Sequence, residues 1–425
     1  MAQTLAAQLL HATTGRPQGA DHRAERQFSG QENAFLPDFC RCERAIAVTT
    51  IESTRATRLL VGAVESTWRF LISMVISQKG ETMDTIGFLG AGGSKEIARI
   101  ALSDETRDRI QARLAVLPNP EGRVDEASAQ LYRAFAELPE SELQTFLDFG
   151  RHTDMPGVML VENLPVDPTL PPTPNDGGPS RDKSTFVSEG VLLGLSGLLG
   201  EVVSFLTEKD GRAVHDVVPV AAGATTQTSQ GSIVNLNFHN DLVHDEQGHY
   251  DVSNPDFLVL NCLRPDPEKA AMTVYADGRD LLGALDPDTV ATLRKPLFRL
   301  NAPGGYTRMF AGGKQVLSVP VPIVSGPDHA PELAVAANGV VFLADEAEVA
   351  FKGLQAACVD PAVAQVAKLD AGQALLINNR KGIHARSYFT ATYQGDDRWL
   401  QRTYIRRTLW NIRDRADAGG RRLHR

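Results

Sequence analysis

The sequence lacks three features that would each point to a particular class of protein. Lysine and arginine do not outnumber the acids, since 43 basic residues stand against 52 acidic ones for a net charge of −9. This balance disfavours a nucleic-acid partner, because phosphate binding needs a surplus of positive charge. The longest apolar stretch, 59–77, is interrupted by Glu65 and Arg69, so neither a membrane span nor a signal peptide is predicted. Nothing indicates an oligomeric state.

Cysteine is also scarce, with four residues in a chain of 425. Cys40 and Cys42 are separated by one residue, which is too close for an ordinary disulfide, and Cys262 and Cys358 lie in apolar segments. A chain that is not built on disulfides is typical of a reducing compartment. We therefore expect a cytoplasmic protein.

Residues 1–95 differ in composition from the rest of the chain. They are polar and Arg-rich, and they end in a glycine cluster, GFLGAGGSK, at 87–95. This cluster lacks the Gly-Lys-Ser/Thr ending of a phosphate-binding loop, so it is interpreted as a linker. We expect 1–95 to be an N-terminal extension, and Met74 and Met83 leave open a later translation start, which would make part of this segment an artefact of gene prediction. The main domain is predicted to span 96–425.

Within that domain, helical spacing predicts helices at 103–117, 126–138 and 140–150, the first with a Ser103 cap, followed by a strand within 155–166. After one or two further helices come many short β segments, with helical interruptions near 279–295 and 345–367. The predicted strands lie at 215–221, 231–241, 256–263, 272–277, 306–312, 314–324, 339–345, 374–389 and 398–407. Short strands without a βαβ rhythm predict a mainly β fold, a sandwich or barrel with flanking helices.

One predicted strand ends in a pair of metal-binding side chains. Alternate residues of a strand share a face, so His239 and Asp241 are expected to point the same way. Two histidines and one carboxylate form the facial triad of non-haem Fe(II) oxygenases, which leaves metal positions open. His384 supplies the second histidine. A competing His-x-Asp pair, His152 and Asp154, follows a predicted helix and has no comparable downstream context.

That downstream context is a pair of arginines, Arg398 and Arg402, placed 14 and 18 residues after His384. The planar fork of an arginine can pair bidentately with the distal carboxylate of 2-oxoglutarate. The order of metal histidine and arginine therefore favours a 2-oxoglutarate-dependent oxygenase over an ordinary strand with outward arginines.

Four stretches carry a specific resemblance: FHNDLVHDE, NPDFLVLNCLRPD, AAMTVYA and INNRKGIHARSYFTATYQGDDRWLQR. Across roughly 100–425, the chain resembles the clavaminate synthase group of the taurine dioxygenase-like superfamily, and within it the amino-acid hydroxylases of peptide-antibiotic pathways. The resemblance implies a double-stranded β-helix, or jelly roll. It also implies that His239, Asp241 and His384 bind Fe(II), and that Arg398 and Thr273 hold 2-oxoglutarate, which is consumed with O2 to give succinate and CO2.

The same resemblance implies an α-amino acid as substrate. In the hydroxylases, a serine ten residues before the first metal histidine and an arginine four after the 2-oxoglutarate arginine meet the substrate carboxylate; here these are Ser229 and Arg402. An acidic or amide residue about 31 before the histidine meets the α-amino group, and Glu208 matches it. Asp345 falls near a region where the arginine hydroxylase binds a guanidinium, which suggests lysine, ornithine or arginine as candidates.

Several alternatives remain open. The same chemistry could act on a sulfonate, an aryloxy acid or a carrier-bound amino acid, or could end in desaturation or ring closure. A non-catalytic jelly-roll binding protein should have lost a ligand or Arg398, and none is lost. In the superfamily, halogenation requires the carboxylate to be absent, so Asp241 argues against it; the resembled group itself commonly has glutamate at this position. His244, Asp245 and His249 are interpreted as a lid rather than a second metal site.

Overall fold

The computed structural model describes residues 94–249, 254–417 and 420–424. All of them belong to one compact unit, Thr82–Arg425. Apart from Ser94 and Lys95, the predicted extension lies outside the described residues, and so do Cys40 and Cys42. Lys95 already belongs to the folded unit, because its backbone N–H donates to the Ala364 carbonyl at 2.8 Å. The boundary at 95/96 stays a prediction.

Sixteen strands and eight α-helices are present in the described part of the chain. The strands are β1 (Ala98–Ala101), β2 (Val158–Glu162), β3 (Glu201–Phe205), β4 (His215–Val217), β5 (Leu236–His239), β6 (Phe257–Arg264), β7 (Thr273–Asp277), β8 (Phe298–Leu300), β9 (Val324–Ser325), β10 (Glu332–Leu333), β11 (Val340–Phe342), β12 (Ala364–Ala367), β13 (Ala374–Asn378), β14 (Gly382–Arg386), β15 (Trp399–Arg406) and β16 (Arg422–Leu423). The helices are α1 (Asp104–Leu114), α2 (Val124–Phe135), α3 (Glu140–Arg151), α4 (Val187–Leu199), α5 (Gly278–Ala284), α6 (Pro287–Leu293), α7 (Gly304–Phe310) and α8 (Asp345–Ala357).

Two sheets form the β core. The larger has the order β1-β2-β13-β6-β15-β3-β16, with β4 also paired to β15, and the smaller has the order β12-β7-β14-β5. The sheets pack face to face, since Tyr275 of β7 shares one apolar core with Val158, Leu258 and Tyr404 of the larger sheet. This arrangement is the jelly roll that the resemblance implied, so the predicted fold class is confirmed.

Helices cover the outer face of the larger sheet. Ile110 of α1, Leu131 of α2, Phe146 of α3 and Val191 of α4 join Phe257 of β6 in a second core. The predicted cap is present, because the Ser103 side chain accepts a hydrogen bond from the Thr106 N–H, which satisfies one of the free donors of the first turn. No helix in the described ranges is long and apolar enough to cross a membrane.

Two of the predicted strands do not form, and a third, 374–389, is divided into β13 and β14. Residues 306–312, expected as a strand, lie mostly in α7, where Tyr306 is buried while Arg308, Met309 and Phe310 are exposed. Apolar residues at this short spacing fit a one-sided helical turn as well as a strand. The segment 314–324 forms isolated bridges and joins a strand only at Val324, because prolines at 320 and 322 cannot donate to a ladder.

Candidate active site

Three metal-binding side chains meet where β5 and β14 pair. His239 ends β5 and lies directly opposite His384 of β14 in the antiparallel register, with the two ring centroids 4.4 Å apart. One ligand atom each from His239, Asp241 and His384 lies within 4.8 Å of the others. Within the described ranges, no other group of three His, Cys, Asp or Glu side chains has this geometry.

A turn, rather than strand alternation, brings Asp241 to this cluster. The strand ends at His239, and the Asn240 side chain donates to the carbonyls of Asn379, at 2.6 Å, and Gly382, at 2.9 Å. The Asp241 N–H in turn donates to Asn379 Oδ1 at 2.8 Å. These buried hydrogen bonds fix the chain direction after β5, and the expectation that β5 itself continues to Asp241 was wrong.

The donor atoms fit a divalent transition metal. His239 Nδ1 lies 2.7 Å from the Asn237 carbonyl oxygen, which only accepts, so Nδ1 is the donor and Nε2 is the nitrogen left for a metal. Burial, followed by the neighbouring His239, lowers the pKa of His384 to about 3. His384 is therefore neutral at physiological pH, the form that coordinates metal. Two imidazoles with one carboxylate match the facial set used for Fe(II).

Arg402 links this cluster to the larger sheet. Its Nη1 donates to Asp241 Oδ2 at 3.1 Å and Oδ1 at 3.3 Å, while Nη2 donates to His215 Nδ1 at 3.3 Å. His215 Nε2 donates to the Arg212 carbonyl at 2.9 Å, which leaves Nδ1 free to accept. Burial raises the pKa of Asp241, but Arg402 and the two metal-site imidazoles outweigh it and hold that pKa below its usual range.

A cavity of about 280 Å³ opens onto the cluster. His239 and Asp241 line it together with Arg402, Ser229 and Glu208, three of the residues predicted to bind substrate. Burial raises the pKa of Glu208, against the opposing effect of Arg402. Asp345 is different: it is exposed at the first residue of α8 and does not line the cavity. The structure therefore brings together every predicted substrate residue except Asp345.

Arg398 and Thr273 lie outside the lining of this cavity. Thr273 pairs with Arg386 and Tyr275 pairs with His384, so all four side chains point to the same face of the smaller sheet. Arg398 is buried, 7% exposed, with its guanidinium 5.7 Å from the Phe389 ring. It makes no hydrogen bond or ion pair with any described residue, which is unusual for a buried cation.

The other sequence candidates lie elsewhere. His152 is 61% exposed and contacts Asp148, four residues earlier on α3, so the competing His-x-Asp pair is on the surface. Asp245 pairs with Arg415 at 3.0 Å. His244 stacks edge-on against Tyr306, with ring centroids 5.1 Å apart. These two residues form no metal group with His249, and a lid role stays a prediction.

Sequence reasoning missed several residues that shape the site. His215 holds Arg402 in place, Asn379 anchors the turn before Asp241, and Arg308 and Asn338 line the cavity. His215, Arg308 and Asn338 lie outside the four stretches that carry the family resemblance, and each is brought to the site from a separate part of the chain. Only the Asn-Asn pair at 378–379, within one of the quoted stretches, offered a signal.

Comparison with known proteins supports the same class. Residues 188–404, just over half of the chain, match the family "Taurine catabolism dioxygenase TauD, TfdA family". The chain is 33% identical to an L-asparagine oxygenase of Streptomyces coelicolor, over 70% of this chain and 86% of that protein. It is 30% identical to an L-lysine 3-hydroxylase of Catenulispora acidiphila, over 65% and 75% respectively. A solved asparagine oxygenase with Fe(II), 3-hydroxyasparagine and succinate superimposes with a TM-score of 0.67 at 31% identity, covering 77% of this chain and 99% of that one.

The jelly roll and its buried two-histidine, one-carboxylate cluster define a non-haem iron dioxygenase. The chain belongs to the TauD/TfdA family of dioxygenases, whose members use Fe(II) and 2-oxoglutarate. The resemblance noted in the sequence is therefore confirmed.

Proposed function

We propose that this dioxygenase hydroxylates an unactivated C–H bond of an α-amino acid, and that His239, Asp241 and His384 hold its iron. The observation that carries the proposal is a cavity whose lining contains two of these ligands together with Glu208, Ser229 and Arg402. Beside the metal cluster, Glu208 can pair with the α-amino group of the substrate. Arg402 and Ser229 can bind its α-carboxylate. Similarity to an asparagine oxygenase and a lysine 3-hydroxylase supports the same substrate class.

Arg398 and Thr273 are proposed to bind the distal carboxylate of 2-oxoglutarate. The support is the guanidinium of Arg398, which is buried and has no hydrogen-bond or ion-pair partner among the described residues. Arg398 and Arg386 both contact the Phe389 ring, and Arg386 pairs with Thr273 in the smaller sheet. A buried cation without a partner is costly, and a bidentate carboxylate would offset that cost. Arg386 cannot take this role as readily, because its guanidinium already donates to the carbonyls of Gly231 and Val234.

Each protein group has a separate task in the proposed reaction. Iron supplies the activation of O2 that is coupled to oxidative decarboxylation of 2-oxoglutarate. The hydrogen bond from His239 Nδ1 to Asn237 orients that imidazole. Glu208 and Arg402 hold the two ends of the amino-acid backbone, which fixes the substrate C–H bond that lies nearest the metal. Positioning by these residues therefore decides which carbon is oxidised.

Two other functions are less well supported. A non-catalytic binding protein would not need the two imidazoles and the carboxylate that are clustered here. A small acid without an amino group would leave the partly buried Glu208 carboxylate facing the cavity without a partner. Desaturation or ring closure would use the same residues. We also propose a cytoplasmic location, on the ground that Cys262 and Cys358 are free thiols.

The test uses the full chain, purified without oxygen and supplied with Fe(II) and 2-oxoglutarate. Free amino acids are offered one at a time, and succinate formation and a gain of one oxygen by mass are measured for wild type, Glu208→Ala and Arg402→Ala. We expect at least one amino acid to be oxidised and both variants to lose most of that activity. The proposal fails if no amino acid is oxidised, or if both variants match the wild type.

A further inference from the structure

The charged groups that line the cavity restrict the side chain of the amino acid. The lining contains two carboxylates, Glu208 and Asp241. In the proposed function, Glu208 receives the α-amino group and Asp241 binds iron, so both are already engaged. No further carboxylate in the described lining is left to receive a side-chain ammonium or guanidinium. Burying such a cation without an anionic partner is unfavourable, because the charge loses its hydration.

The lining also contains three cationic side chains, those of Lys209, Arg308 and Arg402. Lys209 Nζ donates to the carbonyls of Gly177, at 2.8 Å, and Asp216, at 3.2 Å. Arg402 donates to Asp241 and His215, and in the proposed function it also receives the α-carboxylate. Arg308 makes no hydrogen bond or ion pair with any residue that the structure describes, although it lines the same cavity. Arg308 is exposed, and its charge has only a minor effect on the pKa of Glu208, so its guanidinium is available to a ligand.

The first turn of α7 places Arg308 beside the amino-acid anchor. A Cβ at Gly304 would lie 3.3 Å from Arg308 Nη1, and one at Gly305 would lie 3.4 Å from Glu208 Oε1 and 1.9 Å from the Thr207 carbonyl oxygen. Only glycine at 305 allows the helix to approach the Glu208 turn this closely. The guanidinium of Arg308 is therefore within one side-chain length of the group that is proposed to receive the α-amino nitrogen.

Amides supply the neighbouring part of the lining. Gln315 Nε2 donates to Asn301 Oδ1 at 2.6 Å, Asn301 Nδ2 donates to the Asn338 carbonyl at 3.2 Å, and Asn338 Nδ2 donates to the Ala302 carbonyl at 3.0 Å. This chain of bonds orders the two asparagines that line the cavity, Asn301 and Asn338. Neutral amides can bond a carboxamide or a carboxylate, but they cannot neutralise a cation.

We propose that the substrate side chain ends in a carboxylate or a carboxamide, that Arg308 and Asn338 receive it, and that lysine, ornithine and arginine are poor substrates. This inference rests on the proposed function. A planar oxygen-bearing group matches the two-pronged donor geometry of a guanidinium. Family membership does not decide the matter, because the relatives include both an asparagine oxygenase and a lysine 3-hydroxylase. The position of Asp345 in the sequence suggested lysine, ornithine or arginine as substrates, but Asp345 lies outside the cavity lining.

The test compares aspartate, glutamate, asparagine and glutamine with lysine, ornithine and arginine in the iron-loaded full-length protein. Succinate formation and product mass are measured for wild type, Arg308→Ala, Arg308→Glu and Asn338→Asp. Lys314→Ala is the matched control, since Lys314 is exposed and outside the lining. Apparent KM for 2-oxoglutarate is measured in every variant and is expected to stay unchanged, which separates a substrate effect from damage to the fold.

We expect wild type to prefer the acid or amide set, and Arg308→Ala to lower kcat/KM for the accepted substrate by about 10–100-fold, the size expected for one charge-assisted hydrogen bond. Arg308→Glu and Asn338→Asp should shift the preference toward basic amino acids. The inference is overturned if wild type prefers lysine, ornithine or arginine, or if Arg308→Ala behaves like Lys314→Ala. Oxidation of basic amino acids alone would leave the proposed function standing, whereas oxidation of no amino acid would remove both.

Discussion

Arg402 Nη1 lies 3.1 Å from Oδ2 and 3.3 Å from Oδ1 of Asp241, at the junction of the two sheets. The residue proposed to bind the substrate carboxylate thus also neutralises a proposed iron ligand. Both side chains are buried, so their charges interact in a medium that screens them weakly. Substrate binding and the electrostatics of the metal site are therefore coupled through one guanidinium.

The metal cluster gives the first prediction. His239→Ala, Asp241→Ala and His384→Ala should each abolish Fe(II) binding and 2-oxoglutarate turnover while the fold is retained, because three ligands are the minimum set for this site. Iron content, succinate formation and circular dichroism are the measurements. His152→Ala should match wild type, because His152 is on the surface. Loss of iron only in the His152 variant would mean that His152 and Asp154, and not His239 and Asp241, bind the metal.

The second prediction concerns Arg398. Arg398→Ala should raise the apparent KM for 2-oxoglutarate by orders of magnitude, since a desolvated carboxylate that loses its charged partner costs about 2–5 kcal/mol. Lysine at this position should rescue only part of the loss, because it lacks the planar fork. Arg99→Ala, whose side chain is 52% exposed in wild type, is the control. An unchanged KM in Arg398→Ala would exclude this role.

Glu208 gives a prediction on pH. Burial raises the pKa of Glu208, so this carboxyl takes up a proton at a higher pH than an ordinary glutamate. The neutral form cannot pair with an ammonium group. The KM for the amino acid should therefore rise as the pH falls through this raised pKa, while Glu208→Gln should have a high KM that does not change over the same range. The KM for 2-oxoglutarate is the internal reference, and parallel profiles in wild type and Glu208→Gln would contradict the assignment.

A buried ion network beside α4 gives a prediction on stability. Lys183 Nζ, with 3% of its side chain exposed, lies 3.0 Å from Asp167 Oδ2 and 2.6 Å from Glu189 Oε2. Lys183→Ala should lower the free energy of unfolding by about 3–5 kcal/mol, because it leaves two carboxylates buried without their cation. Lys269→Ala, which removes the exposed pair with Asp370, should cost at most about 1 kcal/mol. Denaturant unfolding measures both, and equal losses would contradict the distinction.

The last prediction concerns residues 1–95, which are expected to contribute no active-site group. A chain that begins at Met83 should remain soluble and turn over the same substrate, because the first proposed site residue in the sequence is Glu208. It also retains Lys95, which pairs with Asp280 at 2.5 Å. Unchanged kcat and KM are expected in the succinate assay. Loss of activity with a retained circular dichroism spectrum would show that the N-terminal segment acts on the site.

The fold class and the residues proposed to bind the metal and 2-oxoglutarate were predictable from patterns along the chain. These patterns are strand alternation, the His-x-Asp pair and the spacing from His384 to Arg398. The residues that surround them could not be predicted in this way. Arg308, Asn338 and His215 reach the site from separate segments through packing, and Asp345 is carried away from it by α8. The charges that face a cavity are set by contacts between residues far apart in the chain. Local sequence periodicity does not predict those contacts.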